Sequence, residues 1–134
     1  MNIIADTNLL VRFFTQDDEN QFKKVVDIFI KSRKIIIPIN VLCELVWVLS
    51  YSYKFKNNFI ADRIQKLANN PKIIIQQSAV NFGIEMLEKN GDFSDGINAF
   101  SGIEMAFGEP VSFVSFDKKA IKILTELGIQ TIAL

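Results

Sequence analysis

The chain has 134 residues, with fifteen basic and fifteen acidic side chains, a single cysteine and no histidine. Without histidine there is no Ser-His-Asp or Cys-His machinery and no His-ligated zinc, so acid–base or metal chemistry falls to carboxylates. The zero net charge hides an asymmetry: residues 1–22 carry net −3, residues 23–72 net +7 and residues 73–134 net −4, a pattern that permits a polyanionic partner.

A first buried strand is predicted over 2–5 (NIIA), stopping at Asp6. Helical spacing follows over 9–15 and again over 20–32, where Phe22, Val25, Val26, Phe29 and Ile30 share a face. Asp17 and Asp18 supply capping acids for the second of these helices. The run KIII (34–37) reads as a second strand, and Pro38 fits the first turn of a helix reaching about Tyr53. Cys43 lies in this apolar segment, where a lone thiol forms no internal disulfide and serves as filling. Another helix is predicted over about 58–68, closed by Asn69, Asn70 and Pro71.

The third strand is KIIIQ (72–76), followed by a helix over about 78–89. After the loop NGDF a helix starts near Ser94 and ends about Phe107, before Gly108. The fourth strand is SFVSF (112–116). Asp117 opens the last helix, Gly128 closes it, and a fifth strand runs over 129–133. Short apolar strands alternating with helices predict an α/β fold, a three-layer α/β/α sandwich around a mainly parallel five-stranded sheet. No linker divides the chain, so residues 1–134 read as a single domain. The N-terminus MNIIAD lacks a basic leader, and no apolar run approaches the roughly 18 residues of a membrane span. The expectation is a cytoplasmic protein with no membrane contact. Twelve phenylalanines are a surplus for this size, which suits cover by a partner or a second copy.

In an open α/β sheet, ligands sit beyond the carboxyl ends of the strands. Asp6 and Asp117 fall there, Asp6 beside Thr7 and Asn8, and Asp117 two residues after Ser115. An Asp directly before a helix is also a favoured N-cap, and that role alone accounts for either. Glu44 stands in a strongly apolar helix with no Lys or Arg within a turn or two. Burying an ionised carboxylate unpaired costs several kcal/mol, so Glu44 either lines a single wet stripe or faces a cation. Asp92 and Asp95, in GDFSDG, exceed what capping one helix needs, and Ala99, Gly102 and Ala106 continue a small-residue face from Asp95 toward the sheet. If Asp6, Glu44, Asp95 and Asp117 converge, their repulsion calls for shared protons or a bound cation. An all-oxygen set suits Mg²⁺ or Mn²⁺, and such sites serve phosphoryl chemistry.

The segments IIADTNLLVRF, INVLCELVWVL, GDFSDGINAFSGIEMAFG and SFVSFDKKA, in this order and spacing, resemble the PIN-domain ribonucleases, above all the VapC-type toxins of bacterial toxin–antitoxin pairs. The resemblance implies a Mg²⁺- or Mn²⁺-dependent endoribonuclease with Asp6, Glu44, Asp95 and Asp117 as catalytic metal ligands and Asn8 and Ser115 supporting them; Thr7 and Asp92 are further polar groups beside the site. It also implies a structured RNA substrate such as tRNA or ribosomal RNA, a small antitoxin as inhibitor, and a homodimer. Gly96 stands where the family commonly has alanine, a departure expected to cost under about 1 kcal/mol. A haloacid-dehalogenase-like phosphatase needs an Asp two residues after the first, where this chain has Asn8. A phosphoreceiver needs an Asp after a central strand, where this chain has Pro38 and Gln76. The remaining alternative is a catalytically silent PIN-like module that binds RNA or protein.

Overall fold

The structure, a computed structural model, describes residues 1–134. The chain divides into two compact units, Met1–Gln76 and Gln77–Leu134.

The first unit runs β1 (Asn2–Ile4), α1 (Thr7–Thr15), α2 (Glu19–Lys31), β2 (Lys34–Ile36), α3 (Ile39–Tyr51), α4 (Asn57–Asn69) and β3 (Ile73–Ile74). Its strands form a parallel sheet in the order β1-β2-β3, with Ile3 opposite Ile35 and Ile35 opposite Ile73. Parallel neighbours need a crossover, and each is made here by a helix pair. Strand alternation sends Ile35 and Ile73 inward, where both are buried, beneath a core that includes Leu10, Leu42, Leu45, Leu49, Ile60 and Ile64. Removing any of these leucines or isoleucines to alanine takes away about 2–5 kcal/mol of packing. The alternate row, Ile4, Ile36 and Ile74, is exposed. Cover on both faces of the sheet was the expectation; in this unit only one face has it.

Helix boundaries follow the expected signals with two exceptions. Pro38 lies in the cap position outside the first turn, extended at φ −60° and ψ 150°. Its carbonyl accepts from the backbone N–H groups of Val41 and Leu42, so the ring supplies a fixed φ where no N–H is needed. Asp18 alone caps α2, accepting from Gln21 N at 3.0 Å. Asp17 instead accepts from Arg12 Nη1 (2.7 Å), Thr15 Oγ1 (2.8 Å) and the Tyr53 hydroxyl (2.8 Å). The Tyr53 and Thr15 hydrogen bonds, with Arg12 behind them, hold its carboxyl at about 2. This cluster ties the end of α1 to the segment after α3.

The second unit runs α5 (Gln77–Glu88), α6 (Phe93–Met105), β4 (Phe113–Ser115), α7 (Lys118–Glu126) and β5 (Thr131–Ala133). β4 and β5 pair in parallel, Val114 opposite Ile132, across the α7 crossover. The five strands thus form a three-stranded and a two-stranded parallel sheet, where a single five-stranded sheet was expected. Met86, Ala99, Ile123 and Leu124 form a buried cluster flanked by Phe82, Phe113, Leu127 and Ile129. Gly128 has φ +88° after the last turn of α7, the left-handed closure its position in the sequence predicts.

Helices α5 and α6 pack tightly together, and two glycines set their separation. A Cβ on Gly83 would stand 2.5 Å from Cε2 of Phe93, which is buried, and one on Gly96 would stand 2.5 Å from Cγ of Met86. Gly96 is therefore more than a tolerated departure, because Met86 fills the space that an alanine methyl would take. The small face of α6 is pressed against α5 at this end, while a methyl on Gly102 would meet nothing within 4 Å. Alanine gains about 1 kcal/mol over glycine inside a helix, but overpacking a rigid ring costs about 1–3 kcal/mol. Gly83→Ala is accordingly expected to lower the urea midpoint with an unchanged slope, and a raised midpoint would contradict the packing argument.

Candidate active site

The carboxylates singled out in the sequence occupy two settings, one in each unit. In the first unit, Asp6 follows the carboxyl end of β1 and caps α1, its Oδ1 accepting from Leu9 N at 3.0 Å. Glu44 lies in the second turn of α3, the helix that follows the neighbouring strand β2, and α1 packs on α3. Both acids therefore belong to elements that leave the same edge of one parallel sheet. Thr7 opens α1 and Asn8 is exposed beside it.

Glu44 is exposed and enters no ion pair. Leu42, Leu45, Val46 and Leu49 bury the inner side of α3, whereas Asn40, Glu44, Trp47 and Tyr51 form a single exposed stripe at positions i, i+4, i+7 and i+11. Glu44 thus lies on the wet stripe of the helix, where a side chain can also meet a cation. The apolar neighbourhood in the sequence belongs to the opposite face.

In the second unit, Asp92 caps α6 by accepting from Asp95 N at 3.1 Å, and Asp117 caps α7 by accepting from Ala120 N at 3.1 Å. Ser115 Oγ accepts from Asp117 N at 2.9 Å, fixing the turn that leads from β4 into the helix. Ser94 has no part in the cap. Asp6, Asp92 and Asp117 thus all perform the capping role that their positions allow, and each does so through Oδ1 alone. The second oxygen of each carboxylate is left for another partner.

Asp95 differs from the other acids. It is half-buried in the first turn of α6 and caps nothing. Burial raises its pKa above the ordinary value, and the neighbouring charges of Asp92 and Asp117 raise it further. A negative charge in the first turn is normally favoured by about 0.3–1 kcal/mol through the helix dipole. At Asp95, desolvation and like-charge repulsion act against that gain. The charges of Asp92 and Asp117 are thus felt at Asp95. Neither unit by itself brings three acidic side chains into metal-ligating range.

Acids after strand ends, on helix N-termini of a parallel α/β scaffold, define a class of carboxylate-bearing α/β proteins, and comparison with known families gives that class a name. This chain belongs to the PIN domain family, whose model matches residues 3–85. It is similar to a VapC ribonuclease of Aquifex aeolicus (strain VF5), with 25% identity over 136 residues that cover 96% of this chain and 94% of that protein. No solved structure matches. The family match takes in Asp6 and Glu44, and the longer similarity extends over nearly the whole chain.

The sequence did not point to the cluster of Arg12, Thr15, Asp17 and Tyr53, because Tyr53 lies 36 residues from Asp17 and no local pattern joins them. Nor did it distinguish which basic residues of the middle segment are free. Lys23, Lys31, Arg63 and Lys66 pair with acids, and Lys72 Nζ donates to the carbonyls of Phe29 and Ile30 at the end of α2. Lys24, Arg33, Lys34, Lys54 and Lys56 are exposed and outside these ion pairs.

Proposed function

We propose that this protein is a Mg²⁺- or Mn²⁺-dependent endoribonuclease, the toxin of a toxin–antitoxin pair, with Asp6, Glu44, Asp95 and Asp117 as its metal ligands. The observation that carries the reading is Asp95, a half-buried carboxylate in no ion pair, whose pKa is raised by burial and by the charges of Asp92 and Asp117. Such an arrangement is relieved by a proton or by a divalent ion. The donor set fits a hard cation, since every candidate ligand is a carboxylate and the capping acids Asp6, Asp92 and Asp117 use one oxygen each for their caps. The reading takes residues 1–134 as a single PIN-like domain.

A bound divalent ion supplies an activated water and neutralises charge on the scissile phosphate. The chain's own residues have the other tasks. Asp6 and Asp117, fixed by their caps, hold their free oxygens in place. Ser115 locks the turn before Asp117, and Asn8 offers a polar contact beside Asp6. Products with a 3′-hydroxyl and a 5′-phosphate are expected. The unpaired lysines and arginines of the middle segment are suited to phosphate contacts, and structured RNA such as tRNA or ribosomal RNA is the expected substrate.

The partner proposed is a small antitoxin, with a homodimer as the working assembly. The first unit offers an apolar groove of about 600 Å³ lined by Phe13, Phe14, Phe29 and Phe59, with Arg63 and Lys66 among its walls. This accounts for part of the phenylalanine surplus and suits an apolar segment of a partner. No helix is long and apolar enough to cross a membrane. The alternative is a silent RNA- or protein-binding module, and metal dependence decides between the two. Cleavage of RNA is expected with Mg²⁺ or Mn²⁺ and none in excess EDTA; full cleavage in EDTA would overturn the metal reading, and binding without cleavage at any metal concentration would favour the silent module.

A further inference from the structure

The exposed stripe of α3 carries two features that the carboxylate chemistry does not use. Trp47 and Tyr51 are 55% and 57% exposed, although they are large aromatic side chains on a helix whose other face is fully packed. Their rings stack on each other, with centroids 5.1 Å apart and planes inclined by 27°. The pair is therefore already ordered as a stack whose outer ring faces remain in water. Glu44 lies one turn before Trp47 on the same stripe. At the other end, Lys54 and Lys56 follow Tyr51 within five residues, both exposed and outside the chain's ion pairs.

We propose that Trp47 and Tyr51 form a stacking platform for unpaired bases of an RNA strand, with Lys54 and Lys56 taking phosphates on one side and Glu44 marking the side of the reaction centre. The assignment rests on the ribonuclease reading and extends it to the form of the substrate, which is single-stranded where it meets this helix. Aromatic faces bind any base through its π surface, and adjacent ammonium groups track the backbone, so the combination recognises single strands without reading their sequence. Charge favours this occupant over an apolar protein surface or a second copy of the chain. A protein lid over the two rings would also cover the exposed Glu44 side chain, which has no ion-pair partner in the chain, and burying a polar group unpaired is unfavourable. An RNA strand leaves the carboxylate open to solvent and a cation.

Trp47 is the chain's only tryptophan, so its emission reports the platform directly. The full-length protein is titrated in EDTA with a twelve-nucleotide oligouridylate, an oligoadenylate and an abasic ribose-phosphate strand of equal length. Binding is followed in parallel by the anisotropy of an end-labelled strand. Both base-bearing strands are expected to quench Trp47, and the abasic strand to leave it unchanged. Tyr51→Ala is expected to weaken binding about tenfold, Tyr51→Phe to restore it, and Lys54→Ala with Lys56→Ala to flatten the salt dependence, which falls by roughly 0.7 in slope for each lost phosphate contact. Equal quenching by the abasic strand, binding without any change in Trp47 emission, or no binding at all overturns the proposal. Trp47 emission that depends on protein concentration and ceases to respond to RNA assigns the surface to a second copy and overturns it as well. The experiment needs no metal and no cleavage, so loss of the ribonuclease reading in the cleavage assay leaves its outcome separately legible.

Discussion

Asp6→Asn is expected to reduce RNA cleavage by at least about 100-fold, the scale on which removal of one electrostatic group from a preorganised site is felt, while leaving the fold intact. The two halves of this expectation come from the two oxygens of the side chain. Oδ1 accepts from Leu9 N at 3.0 Å and closes the first turn of α1. Asparagine keeps a carbonyl oxygen for that bond and ranks with aspartate as an N-cap, so the thermal midpoint should hardly move. What disappears is the negative charge and the second anionic oxygen, which are the properties a divalent ion requires. Asp6→Ala is a poorer test, because it also removes the cap and costs about 1 kcal/mol in helix stability. The measurements are cleavage of an RNA substrate in Mg²⁺ and a thermal melt by circular dichroism. Cleavage within tenfold of the parent, with the fold unchanged, removes Asp6 from the metal site.

The acids that proved structurally useful were legible for a simple reason. Asp6 and Asp117 each stand between an apolar strand and a helical pattern, and that position dictates both an N-cap and a place at the carboxyl end of a strand. Gly128 was legible in the same way, since a glycine after the last periodic residue of α7 marks a left-handed closure. Glu44 was harder, because apolar neighbours in sequence do not specify which face of a helix is wet. The stripe from Asn40 through Glu44 to Trp47 and Tyr51 emerges only once the packing of Leu42, Leu45 and Leu49 fixes the helix's rotation.

Long-range detail was not legible at all. Asp17 looked like a second capping acid, and it became the acceptor for Tyr53 and Arg12 because the chain returns past α1 after α3. Gly96 looked like a small departure from a family pattern, yet its absence of a side chain makes room for Met86 between two helices. The sheet shows the same limit. Strand runs such as KIII and SFVSF declare themselves by composition, but which strands hydrogen-bond to one another is a matter of register and neighbours. The outcome here is a set of three and a set of two.

Asp95→Asn is expected to make the metal-free protein more stable and the enzyme inactive. Asp95 has a folded-state pKa above its ordinary value, so its ionisation opposes folding, and this penalty is complete once the pH exceeds the raised value. As the pH falls through that value toward the ordinary 3.8, the penalty is lost and the metal-free protein regains stability from this group. Asparagine removes the penalty at neutral pH and relieves Asp92 and Asp117 of a like charge. The bond from the Asp95 backbone N–H to Asp92 is untouched by the change, so the cap of α6 survives. In EDTA at pH 7 the variant should therefore melt a few degrees above the parent. Mg²⁺ should reverse the order, because a ligand bound only by the folded state stabilises the parent in proportion to its occupancy, and the variant loses one of the ligands. Cleavage should fall together with this metal-induced shift. A variant that melts below the parent in EDTA contradicts the electrostatic account of Asp95, and a Mg²⁺ shift equal to the parent's removes it from the metal site. The position would then be one where fold stability was given up for no cation, which the small, tightly packed start of α6 gives no reason to keep.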